Sequence, residues 1–393
     1  MQTRLRFTTL DVGMIALVTA VVAVISTAQI YQVLNVGSDY SAHLQFWQVT
    51  LETGRLIVPH VLFPVSAYAV SSLMNLPPVS GGLVIGVLAH VLAGLIVYGI
   101  LRGLMPARPG ALWLCAALSI ALSIAYPVTF FTYPTVYHGY ITPTVWHNPT
   151  LAVLKPFTLP LFLVASRSVL LPHTAYVYTA SGFQIGFTAA LSVVALFAKP
   201  SFTLVLLPAL IVAAMYQRVR GERVEWRWFI LGFVLPSVIG LAVQYALTFG
   251  GAESGSSIAF APFAYINRFL GDNPAAVVIA LIGSLAYPGV VYIAYRAAAR
   301  GDALLNVAWI ALVFALVQYY FLAETGSRAN DGNWVWGAHA AMFVLYTVST
   351  AFVLRQVTAR DGKLYLRARD WIVVAAFMLT VISGVLRIGA PVV

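Results

Sequence analysis

The chain has 393 residues, 61% hydrophobic and only 9% charged, with a mean hydropathy of +0.89. An ordinary soluble domain is roughly 45–50% apolar and about 25% charged, so no soluble fold hides this much apolar surface. The net charge of +10 does not point to nucleic acid, because the 22 Lys and Arg lie in short clusters between apolar runs, where anionic lipid and the cytoplasmic bias of cations account for them.

A helix needs roughly 20 mainly apolar residues to cross the hydrocarbon core, and such stretches recur along the whole chain. The predicted fold class is therefore all-α, a polytopic transmembrane helical bundle forming a single domain over 1–393. The first span is 12–34, preceded by Arg4 and Arg6. It is too long for the h-region of a signal peptide, about 7–15 residues, and is read as uncleaved. A polar helix follows near 39–53, then an apolar segment over 58–75 that carries Pro59, His60, Pro64 and three serines. Further spans fall at 82–101, 110–128, 152–171, 180–198, 201–217, 228–248, 274–297, 303–322, 334–354 and 371–390, eleven with the first. The one cysteine, Cys115, lies inside an apolar run and has no partner for an intrachain disulfide.

Charge decides whether 58–75 also crosses. If it lies on the outer surface, only Arg55, Lys155, Lys199, Arg268, Arg328 and Arg387 of the 22 cations are outside and the other 16 are cytoplasmic. If it crosses, every later loop changes side and most cations move out, against the positive-inside rule. So 35–81 reads as one long outer loop with two surface helices, the second interfacial. The N-terminus is expected in the cytoplasm and Val393 outside, with further outer loops at 129–151 and 323–333.

On this topology most histidines (His43, His60, His138, His147, His339) and half of the acids (Asp39, Glu52, Glu253, Asp272, Glu324, Asp331) gather at the outer face, where loops at a membrane surface usually carry a site. Three segments stand out. In Gly37-Ser38-Asp39-Tyr40-Ser41-Ala42-His43, Asp39 and His43 are four apart and share a helix face; the plainer reading makes Asp39 a helix N-cap. In the stretch from Tyr126 to Thr150, Tyr133, Tyr137, Tyr140 and Trp146 offer flat faces for a sugar or a lipid headgroup, or form an interfacial aromatic belt. His147-Asn148-Pro149-Thr150 and Lys155-Pro156-Phe157, which a belt does not require, follow them. Lys155 either snorkels or grips a phosphate. In the loop from Glu324 to Trp334, Arg328 is a fork-shaped phosphate donor beside the helix expected to start near Asn333, or it pairs with Glu324. No phosphate-binding P-loop, GxSxG elbow, HExxH pair or cysteine metal knot occurs.

In this order the features resemble the polyprenyl-phosphate-dependent integral-membrane glycosyltransferases of the GT-C superfamily, and the SDYSAH, WHNPT and ETGSRANDGN segments look like those of bacterial membrane proteins of that type. Members begin with a span and then a long outer loop bearing an acid near its start and two surface helices. Asp39 holds the acidic position, and Pro59-His60-Val61-Leu62-Phe63-Pro64 looks like the second surface helix. Many members carry a second acid two residues on, where this chain has Ser41, and the large soluble outer domain of several families is absent. No metal ligand is assigned, and a divalent cation as cofactor stays open.

The resemblance implies transfer, in its inverting form, from a polyprenyl-phosphate-linked sugar donor to a glycan or lipid acceptor at the outer face of a bacterial plasma membrane. Asp39 is then the base, with His43 orienting it or the acceptor. On side and chemistry, Arg328, Lys155, His147 and Asn148 are candidates for the donor phosphate, and Tyr137, Trp146 and His60 for sugar or acceptor. The competing readings are a transporter or lipid flippase, a polysaccharide polymerase or ligase, and a noncatalytic bundle.

Overall fold

A computed structural model describes residues 8–35, 38–106, 108–130, 137, 139–170, 179–249, 256–329, 331–358 and 364–388. Gly37, Tyr133, His138, Glu253, Asn330 and both termini lie outside the described residues. The predicted all-helical bundle is present. Its helices are α1 (Thr9–Asn35), α2 (Asp39–Thr53), α3 (Leu62–Met74), α4 (Pro78–Arg102), α5 (Pro109–Ile124), α6 (Pro149–Val169), α7 (Gly182–Ala198) and α8 (Ser201–Val219). Then come α9 (Trp226–Phe249), whose first half contains a π-helical turn over Phe229–Val234, and the short strand β1 (Ile258–Phe260). The chain continues through α10 (Ala264–Leu270), α11 (Pro274–Ala294), α12 (Ala303–Phe321), β2 (Leu322–Glu324), α13 (Val335–Val357) and α14 (Ala368–Ile388).

Among the described residues nine helices are long and apolar enough to cross a membrane, which makes this an integral membrane protein. Every predicted span is helical; the two below that length are α5, with 16 residues, and α7, with 17. Proline opens α4, α5, α6 and α11 at the first helical position, where its missing N–H costs nothing and its φ is preset. Asn148, Asn273 and Asp302 cap α6, α11 and α12 by accepting from the backbone N–H three residues on.

α13 is buried along its length and α6 along most of it, so these two form the axis of the bundle. α4 packs on α1, α5 and α6; α8 and α12 pack on α13; and α11 packs on α14. α3 is 13 residues long, roughly 20 Å at about 1.5 Å per residue, short of the hydrocarbon thickness of about 30 Å. A Cβ on Gly81 would fall on Ala67 and Ser71, and one on Gly82 would touch Phe63. α3 thus packs closely on the start of α4.

The stretch expected as the outer loop 129–151 is, over its described residues 139–148, drawn into the bundle. Tyr140, Ile141, Thr142, Thr144, Val145 and Trp146 are all buried. Its backbone is satisfied from the helices: Ile141 N–H donates to Ser284 Oγ (2.8 Å) and Thr142 N–H to His339 Nδ1 (3.0 Å). Non-helical backbone is tolerated at such depth only when its polar groups are paired in this way. Because Nδ1 accepts, His339 carries its proton on Nε2, which lies 3.1 Å from the Tyr137 carbonyl. His339 is thereby spent on structure.

Candidate functional site

α2 starts with Ser38 extended at the N-cap, and Ser41 Oγ donates back to the Ser38 carbonyl (2.8 Å). The cap position expected for Asp39 is thus taken by Ser38, and Asp39 sits in the first turn with its carboxylate free to reach another element. It accepts from Asn148 Nδ2 at 2.7 Å. The orientation of that amide is determined by its other end. Asn148 Oδ1 accepts from Leu151 N–H (2.9 Å), as N-cap of α6, and from Thr150 Oγ1 (2.9 Å). Only Nδ2 is left to face Asp39, so the local sequence Asn148-Pro149-Thr150 aims a donor at the carboxylate.

The chain of hydrogen bonds goes one step further. Lys199 Nζ donates to Thr150 Oγ1 at 2.9 Å, and two of the three ammonium protons stay available. Lys199 ends α7, and Pro200 follows before α8, so the tight turn between two antiparallel helices presents the side chain inward, where it is buried. Its ammonium lies 5.6 Å from the centre of the Trp336 ring.

Asp39, His43, His60, His147, Asn148 and Arg328 line one cavity of about 430 Å3, together with Lys199, Asp331, Asn333 and Trp336. The His43 and His60 rings stand 5.4 Å apart, edge to face. Arg328 is held by two acids, Glu324 (3.2 Å) and Asp331 (3.2 Å), and Asn333 Nδ2 donates to Glu324 Oε2 (2.8 Å) instead of capping α13. β1 pairs with β2 antiparallel, Ile258 opposite Glu324, which sets Glu324 beside the arginine. His60, Lys199, Arg328 and Asn333 also line a second cavity of about 360 Å3. That one runs between α8 and α9 and is walled mostly by apolar groups, among them Leu204, Leu241, Tyr245 and Phe249. The polar chamber thus continues past its two cations into an apolar cleft.

Lys155, Tyr137 and Trp146 are not among the lining residues. Lys155 is buried one helical turn deeper in α6, with Nζ 3.3 Å from Thr144 Oγ1 and 4.6 Å from the centre of the Phe343 ring. Trp146 lies against His90, ring centres 4.4 Å apart. Tyr137 backs His147 at 4.3 Å, and His147 in turn faces Trp336 at 5.4 Å. The large aromatic faces that the cavity offers are therefore Trp336 and Phe46. Sequence reading missed Lys199, Asp331, Asn333 and Trp336 as site residues. For Lys199 a signal existed: a lysine at a two-residue turn on the side where cations are scarce.

Burial raises the Asp39 pKa above the ordinary carboxylate range; the Lys199 charge and the Asn148 bond oppose it, and Asp331 adds to it. Burial lowers Lys199 to about 8, while the charges of Asp39, Glu324 and Asp331 hold it up. Burial, then Lys199, lowers His43 to about 3 and keeps His60 well below the usual range, so both rings are neutral near pH 7. Among the described residues no three His, Cys, Asp or Glu side chains gather as a metal site. No step below uses a bound cation. No protein-family model matches the chain, and neither does any curated protein or solved structure.

Proposed function

We propose that the chain transfers a sugar from a polyprenyl-phosphate-linked donor to a glycan or lipid acceptor at the outer face of a bacterial plasma membrane, as a GT-C-like enzyme. The observation that carries this reading is the continuity of the Asp39 chamber with the apolar cleft through Lys199 and Arg328. A lipid-linked donor needs that sequence of environments: tail in the cleft, phosphate at the cations, sugar beside the base. The acceptor oxygen bonds to the anomeric carbon as the bond from that carbon to the phosphate oxygen breaks. Its proton passes to Asp39, and the electron pair leaves with the polyprenyl phosphate, inverting the anomeric centre. Lys199 and Arg328 take up the charge that grows on the phosphate, and Trp336 supplies the stacking face. Lys199 replaces Lys155 in the phosphate role, because Lys155 does not line the chamber. His43, His60, His147 and Asn148 keep their places around the reacting groups.

This reading takes the eleven predicted spans as crossings, with the N-terminus cytoplasmic and the C-terminus outside. The shortness of α3 relative to the hydrocarbon thickness supports it, and so does the split of cations. The deciding experiment is transfer of labelled sugar from a lipid-linked donor pool. Asp39→Asn should fold, insert and bind donor while losing about 10²–10⁴-fold in rate. Near wild-type transfer by this variant would remove Asp39 as base. Transport is the second reading, favoured by His90 and Lys155 buried inside α4 and α6, since ionisable groups within spans mark substrate or proton paths. Lipid-dependent flux across a vesicle membrane, with no sugar transferred, would select it.

A further inference from the structure

α8 is 19 residues long, roughly 28 Å at about 1.5 Å per residue, close to the hydrocarbon thickness. Lys199 and Pro200 before its start belong to the cavities described above. Val212, Tyr216 and Arg220 at its far end line a different cavity, of about 710 Å3, closed by α11 and α12. The two cavities therefore serve opposite leaflets. The walls of the second are chiefly apolar, yet Arg220 and Arg300 stand at its polar end.

Those cations are not used up internally. Arg220 spends one N–H on the Tyr216 hydroxyl (3.1 Å), and the Arg300 guanidinium is in no ion pair among the described residues. Two other arginines at this end are paired, Arg102 with Asp11 (2.7 Å) and Arg355 with Asp302 (2.6 Å). The Trp309 indole N–H, on the cavity wall, is buried without a hydrogen-bond partner, a donor that native structures seldom leave unused. A neighbouring groove of equal size, lined by Ile96, Leu163 and Arg167, meets the cavity at Leu170 and Ala303. Two arginines and a spare donor above apolar walls complement an amphiphile with an anionic head.

We infer that this cavity binds one anionic phospholipid of the leaflet opposite the Asp39 chamber. Its phosphate sits between Arg220 and Arg300, and its acyl chains lie along α8, α11 and α12 and in the adjoining groove. Basic pockets between spans on the cytoplasmic side favour such headgroups. A zwitterionic lipid offers the same chains but brings its own cation against the two arginines. The site is independent of the glycosyl-transfer reading.

The test is lipid retention by the full-length protein taken from phosphatidylcholine vesicles containing a minority of phosphatidylglycerol, counted by native mass spectrometry. Wild type should keep one phosphatidylglycerol in preference to phosphatidylcholine. The double variant Arg220→Gln, Arg300→Gln should lose about tenfold or more in retention, as two charge-assisted contacts require. Trp309→Phe, which keeps the ring and its packing, should lose severalfold and guards against misfolding of the double variant. Arg218→Gln with Arg227→Gln, basic positions at the same end that do not line the cavity, should retain lipid as wild type does. Equal loss in that control pair, unchanged retention in the double variant, or equal retention of phosphatidylcholine by wild type overturns the inference.

Discussion

At Asp39 and Lys199 two opposite shifts bring the groups toward each other on the pH scale. If Asp39 is the base it must be ionised, so with its pKa raised by burial the proposed transfer should fall on acidification sooner than an ordinary carboxylate near 3.9 would dictate. The Lys199 ammonium is lost as pH rises through about 8, so transfer should fall there too, giving a bell-shaped rate profile. Lys199→Arg keeps its charge far above that pH, so the alkaline limb should move up by more than a unit; an unmoved limb would assign it to another group. His43→Gln should leave the acid limb in place, because His43 is held near 3 and is neutral throughout. Lys155 follows another logic. It is a buried ammonium with a hydroxyl and a ring face beside it and no acid paired with it among the described residues, and removing an uncompensated buried charge relieves a desolvation cost. Lys155→Met should therefore leave thermal stability unchanged or raise it, with transfer preserved. Lost transfer at unchanged stability would return Lys155 to the site.

The helix α4 positions the site through its glycines. A Cβ on Gly86 would lie 2.5 Å from the Tyr40 hydroxyl and 2.9 Å from Ile30 Cδ1, so the flat face of α4 lets Tyr40, next to Asp39, pack at full depth. Gly86→Val should cost about 1–3 kcal/mol by overpacking, read as a lower melting temperature. It should also weaken transfer by displacing α2. A variant that melts lower yet transfers normally would uncouple α2 placement from this contact. Where element boundaries departed from expectation, proline and tertiary pairing account for it. The span expected to reach 128 ends at Ile124, three residues before Pro127, whose missing N–H and ring disfavour a further turn. The freed backbone is taken up by other helices: Tyr126 N–H donates to the Thr380 carbonyl (3.0 Å) and Val128 N–H to the Gly283 carbonyl (3.2 Å). The spans expected to start at 82 and 152 begin three or four residues earlier, at Pro78 and at Pro149 after its cap Asn148, because proline and the cap extend each helix beyond its apolar run. The start of α13, expected near Asn333, falls at Val335, although Asn333 gives its amide to Glu324 instead of capping the helix.

Over the whole molecule, sidedness is the claim with the widest consequences. A thiol at Leu76→Cys, in the turn between α3 and α4, should react with a membrane-impermeant maleimide on intact cells. One at Leu364→Cys, between α13 and α14, should react only after permeabilisation; Cys115 is buried and adds little background. The reverse pattern would invert the bundle and put the Asp39 chamber in the cytoplasm. Residence in the membrane, the helical class and the order and approximate bounds of the helices were determined by sequence alone. Transfer of apolar residues into lipid adds up locally along the chain, and runs of about 20 residues and their flanking charges carry that sum. Which polar groups meet was decided only by tertiary structure. Lys155 and Lys199 look alike in sequence, each beside a proline at the end of a predicted span that the charge pattern puts outside. The packing of α13 sets one against Phe343 and leaves the other facing Asp39 through Thr150 and Asn148. That difference depends on how helix faces far apart in the chain interlock, which no local pattern of residues encodes.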